Sequence, residues 1–464
     1  MAPLVLSAEE FRALADQVVA LSTEFLATLD DRRTNASTSA AQTSAAFEKP
    51  LPDEGLGDGV LADLTAIAAQ ARASTGRLFP YVVGSGEPVA ALGDFFASVL
   101  NQNVTAWRSA PSAVAVERTV VGWLAEAVGC RGFSGSLTSG GSLANLMGLA
   151  MAREARLPAN DDGAQAGIVY ASEEVHMSIP KALALLGIGR SNLRLIQTDE
   201  RFRMDTEALD DAIARDRRAG RRQIAVVASA GTITTGAVDP LSSLAEIARK
   251  YDLWLHVDGA YGGPAAMADP ERFRGLSEAD SISLDAHKWL YQPLDCSLLL
   301  YRDPEAARTT FAYTGDYART LSNDPVEGFA FFEESIELSR RFRALKLWLS
   351  LRYHGVAAFR AAIAENLRQA HLLAKLIDNE PSLELLAPVE LSAVCFRWKD
   401  DSEDKLDGRN AAILQRVGAR GHVAISNATI RGQFGLRACI VNHRTTDHDV
   451  AAIVQEVLAA AEAV

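Results

Sequence analysis

The chain has 464 residues, 46 Lys and Arg against 59 Asp and Glu, and a formal net charge of −13. Single cores stop growing at roughly 250–300 residues, so this length implies more than one domain or one large α/β unit; 48% hydrophobic and 23% charged residues exclude disorder as a whole-chain description. The acidic balance disfavours non-specific binding to nucleic acid or to an anionic membrane, which leaves a small molecule as the default partner.

In chain order, Ser7 to Leu29 carries apolar residues at helical spacing (Phe11, Leu14, Val18, Leu21, Phe25), with Ser7 as cap and Glu10 three residues on, and predicts an amphipathic helix. The start, MAPLVLSAEEFRAL, lacks a basic stretch followed by an apolar core and a cleavage site. No window reaches the roughly 18 apolar residues of a bilayer span. Cys130, Cys296, Cys395 and Cys439 are far apart and form no CxxC pair, which fits a reducing compartment. A soluble, unexported, cytoplasmic protein is the expectation. Residues 34–46 are small, polar and aperiodic, and Pro50 and Pro52 keep the next segment extended, so a surface linker is expected there. A helix from about Val60 to Ala73 completes an N-terminal segment, residues 1–76, able to wrap over a partner subunit.

From about residue 77, short apolar runs alternate with helix-length segments: 167–172, 193–198, 223–230, 253–258, 281–285 and 297–301. Nearly all-apolar strands separated by helices imply βαβ units and a sheet covered on both faces, hence a doubly wound, mostly parallel α/β domain over 77–345. Helices at about 340–353 and 356–378, strand-like runs at LSAVCFRW and GLRACIV, and a helical C-terminus predict a smaller α+β domain over 346–464.

Three segments carry chemistry. Lys288 follows a strand directly, where open α/β sheets place ligands; a partly desolvated lysine there can attack an aldehyde, although a lysine leaving the sheet for solvent looks the same. Asp258 ends the strand of HVDGAYGG and could cap a helix, bind a metal or pair with a protonated ring nitrogen; Gly259 and Ala260 leave room for a flat ring, and no Asp or His cluster nearby supports a metal. In LTSGGSLANLMGLAMARE, two glycines and a serine precede a helix. They form either a plain N-cap or a cradle of N–H groups for a phosphate. The segment lacks the Gly-Lys-Ser/Thr of a nucleotide loop, and no strand is read before it. An anion cradle, an acid for a pyridine nitrogen and a lysine for an aldehyde are together what pyridoxal 5′-phosphate needs. His176 could stack on its ring or be a surface residue. Thr232 could bond the ring's substituents or Asp258, or only its own turn.

SGGSLANL, EEVHMS, AGTITTGAVDP, HVDGAYGG, SLDAHKWL, DCSLLL, LSRRFRALKLW and GLRACIVNHRTT, in this order over about residues 77–446, resemble the pyridoxal-phosphate-dependent group II amino-acid decarboxylases, and within them the aromatic-L-amino-acid decarboxylases. The resemblance implies the aspartate-aminotransferase-like fold (type I of the pyridoxal-phosphate enzymes) and a cytoplasmic homodimer with its site at the subunit interface. It implies that Lys288 forms the Schiff base, with His287 beside the phosphate, Asp258 on the ring nitrogen, and Ala260 and His176 on the two ring faces. Gly141 and Ser142 would bind phosphate, and Thr232 would lie near the ring; Asp285 stands where many relatives have an asparagine that contacts phosphate. Tyr317 falls where the family places a loop tyrosine that protonates carbon after carbon dioxide leaves, which favours amine over aldehyde; otherwise it is simply exposed. Phe79, Tyr81 and Trp107 would line the substrate pocket, partly from the neighbouring subunit, unless they are plain core, and Arg437 would lie near the substrate carboxylate or the cofactor.

Overall fold

The computed structural model describes residues 4–35, 38–313, 324–399 and 405–464. The large domain is built on a seven-stranded sheet: β1 (Ser134–Thr138), β2 (Ile168–Ser172), β3 (Leu193–Ile196), β4 (Gln223–Ser229), β5 (Trp254–Asp258), β6 (Ser281–Leu284) and β7 (Ser297–Tyr301), in the order β1-β7-β6-β5-β4-β2-β3. Strands β2 to β6 pair in parallel, and β7 runs antiparallel to both β6 and β1.

Alternation along the strands explains the double covering. In β4, Val226 enters one core while Ala225 and Val227 enter another; in β7, Leu298 and Leu300 go one way and Leu299 and Tyr301 the other. With both faces apolar, each strand reads as a continuous hydrophobic run. All six expected strands are present. Strand β1 was not expected, because its sequence, SGSLT, has little β-propensity. Pairing with β7 and close approach make it a strand: a Cβ on Gly135 would lie 2.4 Å from the Leu299 carbonyl oxygen. The GGS turn therefore does follow a strand.

The small domain carries an antiparallel sheet of β8 (Leu383–Leu385), β9 (Ala393–Trp398), β10 (Ser426–Ile430) and β11 (Gln433–Cys439), ordered β10-β11-β9-β8. The helix Val356–Asp378 belongs to both domains: Phe359 and Ile363 enter a core of the large one, Ala370, Leu373 and Ile377 that of the small one. Phe79, on the far side of the chain, also enters the small core and is bracketed by backbone bonds to Ala424 and Cys439.

The N-terminal helix Ala8–Ala27 has the expected Ser7–Glu10 capping box and buries none of its residues. Within the segment expected as linker, residues 40–47 form a helix, nucleated by a second capping box of Ser39 and Gln42 and by its alanines.

Candidate active site

The carboxyl ends of β1, β2, β4, β5 and β6 converge on a cavity of about 270 Å³, and the loops that leave them supply its walls. Ser139 to Ser142 come after β1, Glu174 and His176 after β2, Thr232 after β4, Asp258 and Ala260 from β5, and Asp285, His287 and Lys288 after β6. Of the cofactor contacts expected from the sequence, all of these named residues meet in one place.

Asp258 is 8% exposed and is held by three donors: Asn145 Nδ2 at 2.9 Å, Ser283 Oγ at 3.1 Å and the Ala260 N–H at 3.1 Å. A carboxylate so supplied can stay buried as an anion without a salt-bridge partner. His176 turns its Nδ1 to Ser178, Oγ at 2.8 Å and N–H at 3.3 Å, and burial lowers its pKa. Thr232 Oγ1 lies 3.0 Å from Thr235 Oγ1 and accepts the Ala237 N–H at 3.1 Å.

Lys288 lies in the single helical turn Ala286–Trp289, its Nζ 2.9 Å from Asp285 Oδ2. Asp285 in turn accepts from Ser297 Oγ at 2.5 Å. His287 Nδ1 donates to the Cys296 carbonyl at 3.0 Å, and burial pushes its pKa down. This turn rests on Gly84, whose N–H donates to the His287 carbonyl at 2.9 Å; a Cβ there would come within 2.3 Å of the Lys288 carbonyl oxygen. Arg444 holds the same loop through the carbonyls of Ser85 at 3.0 Å and Gly86 at 3.1 Å.

The RRFRALK segment works from behind the cavity. Arg340 is wholly buried, donates to the carbonyls of Leu137 at 2.9 Å and Val104 at 2.7 Å, and pairs with Glu117, which accepts the Leu137 N–H at 3.0 Å. Both backbone groups of Leu137, two residues before Ser139, are thus clamped. Lys346 holds the carbonyls of Pro293 at 3.0 Å and Asp295 at 3.1 Å, beyond the lysine turn.

The residues expected around the substrate lie outside this cavity. Phe79 is fully buried in the small-domain core. Tyr81 is 56% exposed beneath the Arg72 guanidinium, and Trp107 packs against the large core. Arg437 does not line the cavity; it spends its donors on the Ile233 carbonyl (2.7 Å), the Pro80 carbonyl (3.1 Å) and Ser426 Oγ (3.2 Å), tying the loop after Thr232 to the Phe79–Tyr81 segment. Tyr317 lies outside the described residues. Asn145 and Glu174, which line the cavity, were not singled out from the sequence. Asn145 stands one helical turn after Gly141 and Ser142, on the face that turns to the sheet, and that spacing was the available signal.

The walls suit a phosphorylated pyridine aldehyde. The helix Gly141–Arg156 presents the N–H groups of Gly141 and Ser142 at its start, with the Ser142 hydroxyl beside them. Its floor admits only glycine, since a Cβ on Gly141 would meet Asp285 Oδ1 at 2.8 Å and the Ala260 methyl at 3.0 Å. Asp258 offers a buried anion for a ring N–H, and Lys288 a primary amine.

Residues 46–399 match the family described as the pyridoxal-dependent decarboxylase conserved domain. The chain is 34% identical to an aromatic-L-amino-acid decarboxylase of Bacillus atrophaeus, over 99% of this chain and 97% of that one. Among solved structures, TDC from Oryza sativa with PLP and tryptamine superposes with a TM-score of 0.92 at 25% identity, covering 100% of this chain and 99% of that one. The 4-hydroxyphenylacetaldehyde synthase of Rhodiola rosea gives 0.89 at 26%, covering 99% of each. With its type I fold and the site just described, the chain belongs to the pyridoxal-phosphate-dependent group II amino-acid decarboxylases and is a carbon–carbon lyase.

Proposed function

We propose that this decarboxylase acts on an aromatic L-amino acid, such as tryptophan, tyrosine, phenylalanine or dihydroxyphenylalanine, and releases the amine. The observation that carries the reading is the similarity to an aromatic-L-amino-acid decarboxylase along nearly the whole chain. On the same side, Lys288 is the one lysine or arginine lining the cofactor cavity among the described residues, so that cavity offers no second cation to an acidic side chain.

Lys288 would hold the cofactor through its Nζ, and the first turn of the helix Gly141–Arg156, with Ser142, would bind the phosphate. Pyridoxal phosphate supplies a cationic ring that accepts the electron pair left when carbon dioxide departs. Asp258 keeps the proton on the ring nitrogen, where its charge needs no rearrangement during the reaction. Ala260 and His176 would confine the ring from its two faces, Thr232 would lie near it, and His287 would stand beside the phosphate. Asp285 acts through Lys288 and Ser297 and leaves phosphate to the N–H groups. Tyr317 would return the proton to carbon, the role that the family resemblance implies for it.

The enzyme works as a cytoplasmic homodimer in this reading. Phe11, Val19 and Leu26 on the N-terminal helix and Leu92, Phe95 and Phe96 on the helix Pro88–Leu100 present apolar side chains to solvent in one subunit, an arrangement a second copy would cover. Tyr81 and Trp107, outside the cavity of one subunit, would then serve the pocket of the other, and Arg437 would order the loop between them.

A second reading, oxidative conversion to the aldehyde, is favoured by likeness to the Rhodiola rosea synthase and to a phenylacetaldehyde synthase of Petunia hybrida, 31% identical over 78% of this chain. Carbon dioxide release from a panel of tryptophan, tyrosine, phenylalanine, dihydroxyphenylalanine, glutamate and aspartate, with amine, aldehyde and peroxide assayed in parallel, decides between them. Turnover of glutamate or aspartate alone would end the aromatic reading.

A further inference from the structure

Behind Asp258 lies a buried chain of polar groups that reaches the cavity at Asn145, Asp258 and His176 and continues away from it through Ser178, His256, Ser281 and Trp254, four residues that do not line it and that the reaction as described does not use. Trp254 Nε1 donates to Ser281 Oγ at 2.8 Å, and Ser281 Oγ lies 2.8 Å from His256 Nδ1. His256 Nε2 lies 2.9 Å from Asn145 Oδ1. Asn145 Nδ2 is 2.9 Å from both Asp258 Oδ2 and Ser178 Oγ, and Ser178 Oγ is 2.8 Å from His176 Nδ1. His256 is fully buried, and burial lowers its pKa to about 4.

Donor and acceptor roles leave this chain one direction. Asp258 can only accept, so Asn145 must turn its amide nitrogen to Asp258 and its oxygen to His256. His256 then carries its proton on Nε2, and its bare Nδ1 takes the hydroxyl proton of Ser281, which the indole N–H of Trp254 leaves free to donate. On the other branch Ser178 Oγ accepts from Asn145 and donates to His176 Nδ1, which also takes the Ser178 N–H at 3.3 Å. The proton of His176 therefore sits on Nε2, away from Ser178.

The helix above is shaped for this arrangement. A Cβ on Gly148, in the interior of the helix Gly141–Arg156, would lie 2.6 Å from both Cε1 and Nδ1 of His256. Glycine inside a helix is disfavoured relative to alanine, and here it makes room for the imidazole.

We propose that Asn145 and His256, seated under Gly148, are positioning residues that set the orientation of the Asp258 carboxylate and the tautomer of His176 through one directional chain of hydrogen bonds. The proposal rests on the reading of Asp258 and His176 as cofactor contacts. Its consequence is that His176 meets the cavity as an Nε2–H donor, and that Asp258 keeps one oxygen anchored to Asn145 whatever binds in front of it.

The test begins with the full chain before cofactor is added. With ¹⁵N-labelled histidine, and signals assigned through His176→Gln and His256→Gln, both rings should be neutral at pH 7 with the proton on Nε2, and His256 should stay neutral at pH 5.5. A proton on Nδ1 of either ring, or a charged His256 at pH 5.5, would overturn the relay. Asn145→Asp keeps the acceptor for His256 but removes the donor to Asp258 and Ser178. It should weaken pyridoxal phosphate binding about tenfold in an absorbance titration and move the pH midpoint of the bound cofactor's visible band. A midpoint and affinity equal to those of the unsubstituted protein would also overturn it. If the unsubstituted chain gives no borohydride-reducible band at all, the cofactor reading fails while the tautomers still decide the relay.

Discussion

Arg340–Glu117 and Lys288–Asp285 are both cation–carboxylate pairs packed against the same sheet, and they differ in what surrounds the cation. The Arg340 side chain is 0% exposed, with two carbonyls and a carboxylate on its guanidinium and the Phe331 ring 4.2 Å away. The Lys288 side chain is 17% exposed at the edge of a cavity, held by one carboxylate at 2.9 Å. An arginine gripped from several sides through a planar fork cannot leave, so it serves as a clamp on β1 and the cradle. A lysine with a single partner and an open side can exchange that partner for an aldehyde. Reactivity here follows from how little holds the amine, and the placement of the cradle from how much holds the guanidinium.

The largest effect that would sharpen this contrast is Lys288→Ala, which should reduce carbon dioxide release to the level of free cofactor and abolish the borohydride-fixed mass increment on the peptide carrying residue 288. Persistence of that increment would break the assignment of the reactive amine. Arg340→Met should leave the lysine chemistry intact but strand Glu117, a loss of about 3–5 kcal/mol of stability by denaturant unfolding. Arg340→Met with Glu117→Leu should recover much of that loss; if the single variant is as stable as the parent, the clamp is not one.

A smaller effect is expected from pH. Burial pushes His256 and His443 down to about 4 from an ordinary 6.5. Between those values the unfolded chain binds protons that the folded chain refuses, so stability falls as pH drops from 6.5 toward 4. Asp239, raised by burial to about 6 from 3.8, acts in the opposite sense, because the folded chain keeps a proton that the unfolded one has lost. Burial also lowers His176 and His287 and raises Glu174 and Asp280, so four histidines stand against three acids and acidification is destabilising in that window. Urea unfolding at pH 7, 6 and 5 should show it, and His443→Gln should flatten the slope; an unchanged slope would remove His443 from the account.

The site was legible where chemistry requires a particular residue at a strand's end: Lys288, Asp258, the Gly141–Ser142 turn and His176 all reach one cavity. It was illegible where a residue acts through its neighbours. Arg340 and Asn145 stand inside two of the motifs that carry the resemblance, yet nothing local assigns them a role, and only partners 203 residues away for Arg340 and Leu137, or 113 for Asn145 and Asp258, give them work; Gly84 stands in no such motif. Phe79 misled for the converse reason. Aromatic character fits a pocket and a core equally well, and backbone pairing with Ala424 and Cys439 drew it into the small domain.

By itself the sequence determined the six apolar strands, the double covering of the sheet, the N-terminal capped helix and the family, because hydrophobic period, capping chemistry and short motifs are local properties of the chain. Tertiary structure alone decided that SGSLT is a strand, that the helix Val356–Asp378 joins two cores, and which way the protons run between His256 and His176. Those outcomes depend on backbone pairing, burial and donor–acceptor matching between residues far apart along the chain, and no local pattern encodes them.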